Sequence, residues 1–312
     1  MKQYIQIRFD DTRDELTHSG HRDAAASLPI NQNTLFPIAS VTKTITAELI
    51  LEAAGRGELD LDRPLQDQLE CFELADPDAT ARMTPHDALC HFSGLAPHTQ
   101  SWVRCPLSRR DYMKQILPSL PSEGPFRERH RYSNILYAVL GQLLEECSGR
   151  SWEEHVQEEL IPELPGLGIL EAGWENLPQM AQPYRNGERI PPFYARKDHL
   201  IAPASELFAS AETLMLWGRR FLKDAADHPR WQAQNRVAEQ SPLAGAGPLD
   251  YGLGWRIDHP AGRKRVWHSG HCSGYRCLLE LFPEQREGRF IASNDGAEDP
   301  EIHRDAGKQL QG

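Results

Sequence analysis

The chain has 312 residues, 34 of them basic and 45 acidic, for a formal net charge of −11. That balance lacks the basic footprint of a nucleic-acid binder and opposes adhesion to anionic lipid. Mean hydropathy is −0.57, and apolar runs such as Leu49-Ile50-Leu51 are far too short to cross a bilayer. The hydrophobic fraction of 39% still supplies a sizeable core, and at roughly 150 residues per domain the length suggests two domains.

Apolar and polar residues alternate from Tyr4 to Phe9, which reads as a strand over 3–9. No uninterrupted apolar leader stands there, so a cytoplasmic location is expected. A polar stretch follows, then Leu35-Phe36-Pro37-Ile38-Ala39-Ser40. A helix is expected from Ser40 to about Ala54, with Gly55 as its stop. Ile45, Leu49 and Ala53 share one face, Ala47, Ile50 and Leu51 cover much of the rest, and only Glu48 and Glu52 interrupt. Such a helix belongs between layers. Thr84 opens a short helix with Pro85 in its first turn. Asn134 to about Cys147 forms another, with Leu136, Leu140, Leu143 and Leu144 inward and Gly149 past its end. Residues 151–160 and 210–223 are further helices, and the Pro-rich stretch 161–203 reads as irregular loop. After about residue 250 the pattern turns to strand. Tyr251-Gly252-Leu253-Gly254-Trp255 leads one, Arg265–Cys272 forms a second, Tyr275–Phe282 a third and Arg289–Ser293 a fourth. Short turns join them as an antiparallel meander, to which the N-terminal strand would add.

Three groups of residues carry chemistry. In Ser40-Val41-Thr42-Lys43 the i,i+3 spacing puts Ser40 and Lys43 on one helix face. The helix N-terminus favours negative charge developing at Ser40. The same field, with burial, would hold Lys43 partly neutral and make it a base. The plainer alternative is an N-cap serine with an incidental lysine. In Tyr132-Ser133-Asn134, Tyr132 could relay protons, as a phenolate favoured by a nearby lysine, and Asn134 could offer an amide to substrate. Alternatively Ser133 or Asn134 simply caps the following helix. In Trp267-His268-Ser269-Gly270-His271, strand alternation puts His268 and Gly270 on one face and His271 on the other. Gly270 leaves the backbone open to a substrate, and the next N–H could serve an oxyanion hole. A metal site from His268, His271 and Cys272 would need both rings on one side, so no metal is expected.

No G-x-S-x-G, H-E-x-x-H, Walker A or G-x-G-x-x-G motif occurs, so no cofactor is expected. The run Arg127-Glu128-Arg129-His130-Arg131 reads as a solvated loop, from which one arginine could receive a substrate carboxylate. The six cysteines form no C-x-x-C pair and read as free, mostly buried thiols.

Together and in this order, the three groups resemble the penicillin-recognising serine hydrolases. The nearest branch is the class C β-lactamase-related one, with family VIII esterases, D-amino-acid peptidases and some acyltransferases. The resemblance spans nearly the whole chain. Thr34–Lys43 looks like the nucleophile segment, Gly57–Asp62 its continuation, and Thr84–Leu95 with His91-Phe92-Ser93-Gly94-Leu95 the next helix and loop. Tyr132-Ser133-Asn134, Tyr251–Trp255 and His268-Ser269-Gly270 look like the later motifs.

The resemblance implies an α+β fold of β-lactamase/transpeptidase type, an antiparallel sheet flanked by helices. Residues 1–62 and 245–312 would build the sheet domain, and residues 63–244 an inserted, mainly helical one, with the site between them. It implies Ser40 as acylated nucleophile, Lys43 as its base and Tyr132 as proton relay. Asn134 would bind the substrate flank, and His268 would stand where lysine is common. Ser269 and Gly270 would line the substrate strand, and the N–H groups of Ser40 and His271 would form the oxyanion hole. The family's N-terminal helix is not seen before the first strand, and Pro300–Gly312 is short for its C-terminal packing helix. Sheet cover is therefore expected to be thin, or completed in a homo-oligomer. The leading expectation is hydrolysis of a small ester, amide or peptide. An acyltransferase and a non-catalytic acyl- or peptide-binding homologue are the alternatives.

Overall fold

The structure is a computed structural model, and it describes residues 3–96, 101–102, 105–192, 200–223, 227–240 and 247–297. Its central feature is one eight-stranded antiparallel sheet. In chain order its strands are β1 (Tyr4–Phe9), β2 (Asp14–Ser19), β3 (Asn235–Gln240), β4 (Pro248–Tyr251), β5 (Arg256–Asp258), β6 (Arg265–Cys272), β7 (Tyr275–Phe282) and β8 (Glu287–Ser293). In space the order is β3-β4-β5-β6-β7-β8-β1-β2. The meander expected after residue 250 is present, and the N-terminal strand does join it, with Ile7 opposite Phe290. Three strands lie outside the sequence expectation. β4 ends at Tyr251, so residues 252–255, expected to lead a strand, are the connection from β4 to β5. β2 is Asp-Glu-Leu-Thr-His-Ser on the sheet edge, with none of its residues buried, so no buried alternation marks it. β3 forms the opposite edge and falls within residues 63–244.

The helices that frame the site and the sheet are α1 (Thr42–Gly55), α2 (Pro85–Leu89), α3 (Asn134–Ser148), α4 (Ala202–Ser205) and α5 (Ala211–Phe221); Pro77–Arg82 and Arg109–Gln115 are two further short ones. α1 is buried along most of its length, between α3, α4 and the rest of the core. The two acids that interrupt its apolar surface are paired: Glu48 with Arg230 at 2.7 Å and Glu52 with Arg220 at 3.4 Å. Its threonines accept buried indole N–H groups, Thr44 from Trp217 and Thr46 from Trp152, each at 3.0 Å. α2 opens on a capping box between Thr84 and Asp87, worth about 1 kcal/mol to such a helix. α3 ends at Gly149, whose φ of 75° closes the helix in the left-handed region. α5 packs on β1, β7 and β8. The sheet layer thus takes in β3 and α5 from ahead of residue 245, while the division at residues 62 and 244 stays a proposal.

Residues 151–160 form one α-turn, Trp152–His155, and a π-turn, Val156–Leu160. The described part of the stretch 161–203 is mostly irregular, with short strands at Gly168–Ile169, Tyr184–Arg185 and Glu188–Arg189. Phe36–Pro37, Leu207–Ala209 and Gly168–Ile169 form a small second sheet in the order 36–37, 207–209, 168–169. It leads straight into the turn that carries Ser40. None of the six cysteines is in a disulfide, and four of them are buried. Among the described residues no helix is long and apolar enough to cross a membrane. The expected thinness of Pro300–Gly312 lies outside the described residues.

Candidate active site

Ser40 sits in a single 3-10 turn, Ala39–Val41, just ahead of α1 rather than inside the α-helix itself. Ala39 adopts φ 44°, a left-handed backbone that costs a residue with a side chain roughly 1–2 kcal/mol. The turn is held from both sides. Ile38 N–H donates to Leu207 O at 2.9 Å, and Ile38 O accepts the Val41 N–H and the Cys277 thiol at 3.1 Å each. β6 passes against it so closely that a Cβ on Gly270 would lie 2.1 Å from Ile38 O. This contact explains glycine at position 270 in steric terms.

One turn on, Lys43 is fully buried. Its Nζ lies 2.8 Å from Asn134 Oδ1, 2.8 Å from Ala204 O and 3.3 Å from Ser40 Oγ. The first two oxygens can only accept. A neutral amine has two protons for them and one lone pair left for the serine hydroxyl. Burial, reinforced by the positive charge of Arg256, holds Lys43 well below the usual lysine range. The expectation of a partly neutral lysine therefore agrees in direction with its surroundings.

Tyr132 is hydrogen-bonded to Ser40, and Lys43 Nζ lies 4.8 Å from its ring centroid. The phenolate expected from the sequence is not favoured. Burial pushes the Tyr132 phenol up to about 12, outweighing the pull of Ser40 and Arg256 in the other direction. Asn134 is the first residue of α3. Ser133, at the N-cap, makes no side-chain capping bond, so the capping alternative is not the use made of this segment. The Asn134 amide oxygen instead accepts from Lys43.

His268 is buried and His271 exposed, in keeping with strand alternation. His268 Nδ1 lies 2.8 Å from Ser269 O, an acceptor only, so Nδ1 carries the proton. Nε2, 3.0 Å from the Tyr251 hydroxyl, accepts from it. Burial first, then Arg256 and Lys43, hold His268 well below the ordinary histidine range, so it is neutral at pH 7. Its ring centroid is 6.3 Å from that of Tyr132. Ser269 and Gly270 lie on β6 opposite Leu278 and Cys277 of β7. Among the described residues no group of three His, Cys, Asp or Glu side chains could hold a metal ion.

Two further residues, to which the sequence assigned no role, stand at the site. His91, wholly buried with φ 60°, bonds to both residues that flank Tyr132. Its carbonyl accepts the Arg131 N–H at 2.9 Å and its Nδ1 accepts the Ser133 N–H at 3.2 Å. Its ring packs 4.4 Å from the Tyr132 ring. The second is Arg256 on β5, paired in register with Trp267. The basic run at 127–131 is not simply solvated. Arg127 pairs with Asp87 at 2.8 Å, while Arg131 is buried and donates to Glu123 O at 2.8 Å.

A family model described as Beta-lactamase matches residues 9–311. A Beta-lactamase from Escherichia coli (strain K12) is 28% identical over 250 residues, 76% of this chain and 61% of that protein. A D-aminopeptidase from Brucella canis is 24% identical over 294 residues, 88% of this chain and 52% of that protein. The chain thus spans about half to three-fifths of the length of these curated relatives. The solved octameric penicillin-binding protein homologue from Pyrococcus abyssi superposes with a TM-score of 0.82 at 21% identity, covering 99% of this chain and 73% of that one. That likeness identifies the antiparallel sheet with its helices as the β-lactamase/transpeptidase-like fold. With the family model matched over nearly its whole length, the chain belongs to the Beta-lactamase family.

Proposed function

We propose that the protein is a serine hydrolase that forms an acyl-enzyme on Ser40 and cleaves a small ester or amide. The observation that carries this reading is the Lys43 amine, 3.3 Å from Ser40 Oγ, with its other two contacts on oxygens that only accept. In the proposed cycle Ser40 Oγ attacks the substrate carbonyl while its proton passes to Lys43. The N–H groups of Ser40 and His271 receive the oxyanion. Collapse expels the leaving group, which takes a proton through the Tyr132 phenol, and the acyl group stays on Ser40. Water then attacks, its proton passing through the Lys43–Tyr132 pair to Ser40 Oγ as the acyl–oxygen bond breaks, and the acid is released. Asn134 serves twice, holding Lys43 and bordering the substrate. Ser269 and Gly270 line the strand along which the substrate lies. His268, neutral and bonded at both ring nitrogens, fixes Tyr251 and the backbone ahead of Gly270.

The matched relatives named Beta-lactamase and D-aminopeptidase support a carbonyl substrate. The octameric neighbour is consistent with a homo-oligomer here. The reading is tested by intact mass after exposure to a p-nitrophenyl ester. An acyl adduct is expected on the wild type and none on Ser40→Ala. Absence of adduct and turnover with every acyl donor tried would overturn it.

A further inference from the structure

β2 ends the sheet with one side of its backbone unclaimed. Its inner side pairs with β1 in unbroken register, from Phe9 opposite Asp14 to Tyr4 opposite Ser19. Among the described residues no strand pairs with its outer side, and none of its own residues is buried. Both ends of the strand are fixed. Before it, Asp10 Oδ1 accepts the Thr12 and Arg13 N–H groups at 2.7 Å each, and Arg219 of α5 donates to Asp10 O at 2.9 Å and Arg13 O at 2.8 Å. After it, Gly20 with φ 86° turns the chain away.

Sheet edges that stay single are commonly guarded by a bulge, a proline or lysines. The opposite edge, β3, has a register shift between Arg236 and Gln240. β2, Asp-Glu-Leu-Thr-His-Ser, carries none of these guards. Its side chains instead complement a copy of themselves. In an antiparallel pair about a twofold axis, directly opposite residues share a face of the sheet. The axis must then pass through a residue, not between two. At Glu15 it would set two carboxylates face to face, and at His18 two imidazoles, both unfavourable if charged. At Thr17 it would leave Asp14 opposite Gly20 and Glu15 opposite Ser19. At Leu16 it sets leucine against leucine, Glu15 against threonine and Asp14 against histidine. Leu16 is only partly covered by the core, and Asp14 and His18 are exposed on the same face.

We propose that β2 is a dimerisation edge, pairing antiparallel with β2 of a second copy of this chain about a twofold axis at Leu16. The two sheets then run on as one. The two leucines meet at the axis. On either side of it the His18 imidazole N–H donates to the second copy's Asp14 carboxylate, which keeps its bond from Arg219 at 3.1 Å. β6 lies four strands from β2, so Ser40 stays open to substrate in both copies. This gives a surface to the homo-oligomer reading above and does not depend on the acyl-enzyme. One short strand pair buries little area, so the dimer is expected to form at micromolar concentration.

Sedimentation velocity from about 1 to 200 µM measures the association, since a small interface falls in that range. The wild type is expected to shift from monomer to dimer. His18→Asp sets like charges opposite each other at two symmetric places, and should raise the dissociation constant about 10-fold or more. An unchanged thermal midpoint shows that this variant is folded. Register is read by cysteine substitution and mild oxidation with diamide. Leu16→Cys should form a disulfide-linked dimer about 10-fold faster than Glu15→Cys or Thr17→Cys, because only the axis residue faces its own copy. The wild type, with its native cysteines, gives the background rate. Dimers that survive His18→Asp, or that link no faster through Leu16→Cys, would overturn the proposal and leave a homo-oligomer through another surface. A wild type that stays monomeric throughout would overturn both. The acyl-enzyme reading is decided separately, by the adduct on Ser40.

Discussion

Lys43 shows how burial sets a residue's protonation state. Its pKa is lowered, so the neutral amine is populated at lower pH than in free lysine, whose ordinary value is 10.5. Acylation should therefore rise with pH as Lys43 loses its proton, along a limb whose midpoint lies well below 10.5. Single-turnover acylation followed by mass across pH measures it, and Lys43→Arg should abolish the limb together with the rate. Tyr132 is affected in the opposite sense. With its phenol near 12 it remains protonated at neutral pH and acts as a donor. Tyr132→Phe should lower the rate by about 10²–10⁴-fold, the usual scale of a general acid–base group, while leaving the fold intact by circular dichroism. The Ser40–Lys43 pairing was legible because i,i+3 spacing is local. The state of Tyr132 was not, because a neighbouring lysine and complete burial push a phenol in opposite directions. Which one prevails depends on packing contributed by distant parts of the chain.

At the scale of elements, the site is a junction of the Ala39–Val41 turn, β6 and the segment entering α3. Gly270→Ala would drive a methyl group onto Ile38 O. Backbone cannot swing aside as a side chain can, so about 1–3 kcal/mol of destabilisation is expected, measured by urea denaturation, with slower acylation as the Ser40 turn shifts. His91 holds the third part of the junction. His91→Leu removes the acceptor for the Ser133 N–H, whereas His91→Asn can return an oxygen near the same place. The leucine variant should lose about 10-fold or more in kcat with little change in KM, and the asparagine variant should recover part of it. α1, α3 and strand β7 were legible because each carries a long apolar face, and β6 because the His268-Ser269-Gly270 group marks it. β2 was not, being polar and at an edge. Neither was His91, whose importance comes from a left-handed backbone and one ring nitrogen, features that leave no periodic trace.

In the whole molecule, the buried histidines connect the site to acid stability. His91 and His268 are both held well below their ordinary value of 6.5, chiefly by burial. The unfolded chain therefore binds more protons than the folded one as pH falls below about 6.5, and stability must fall with it. The thermal midpoint should drop between pH 7 and 5, and less steeply in the His91→Asn variant. Elsewhere on the sheet, Asp258, Arg265, Glu280 and Arg289 form a buried chain of ion pairs. The sequence offered these as scattered charges, since only cross-strand register brings Arg265, on β6, beside Asp258 on β5 and Glu280 on β7. Register also governs how the chain can assemble. β1 lies between β2 and β8, so a hairpin made from the first 19 residues has to wait for a strand that begins at residue 287. The contact of greatest sequence separation is thus structural to the main sheet, a topology that folds slowly and leaves a strand edge unsatisfied meanwhile. During synthesis that edge of β1 stays open until β8 has emerged, and an open edge is a template for mispairing.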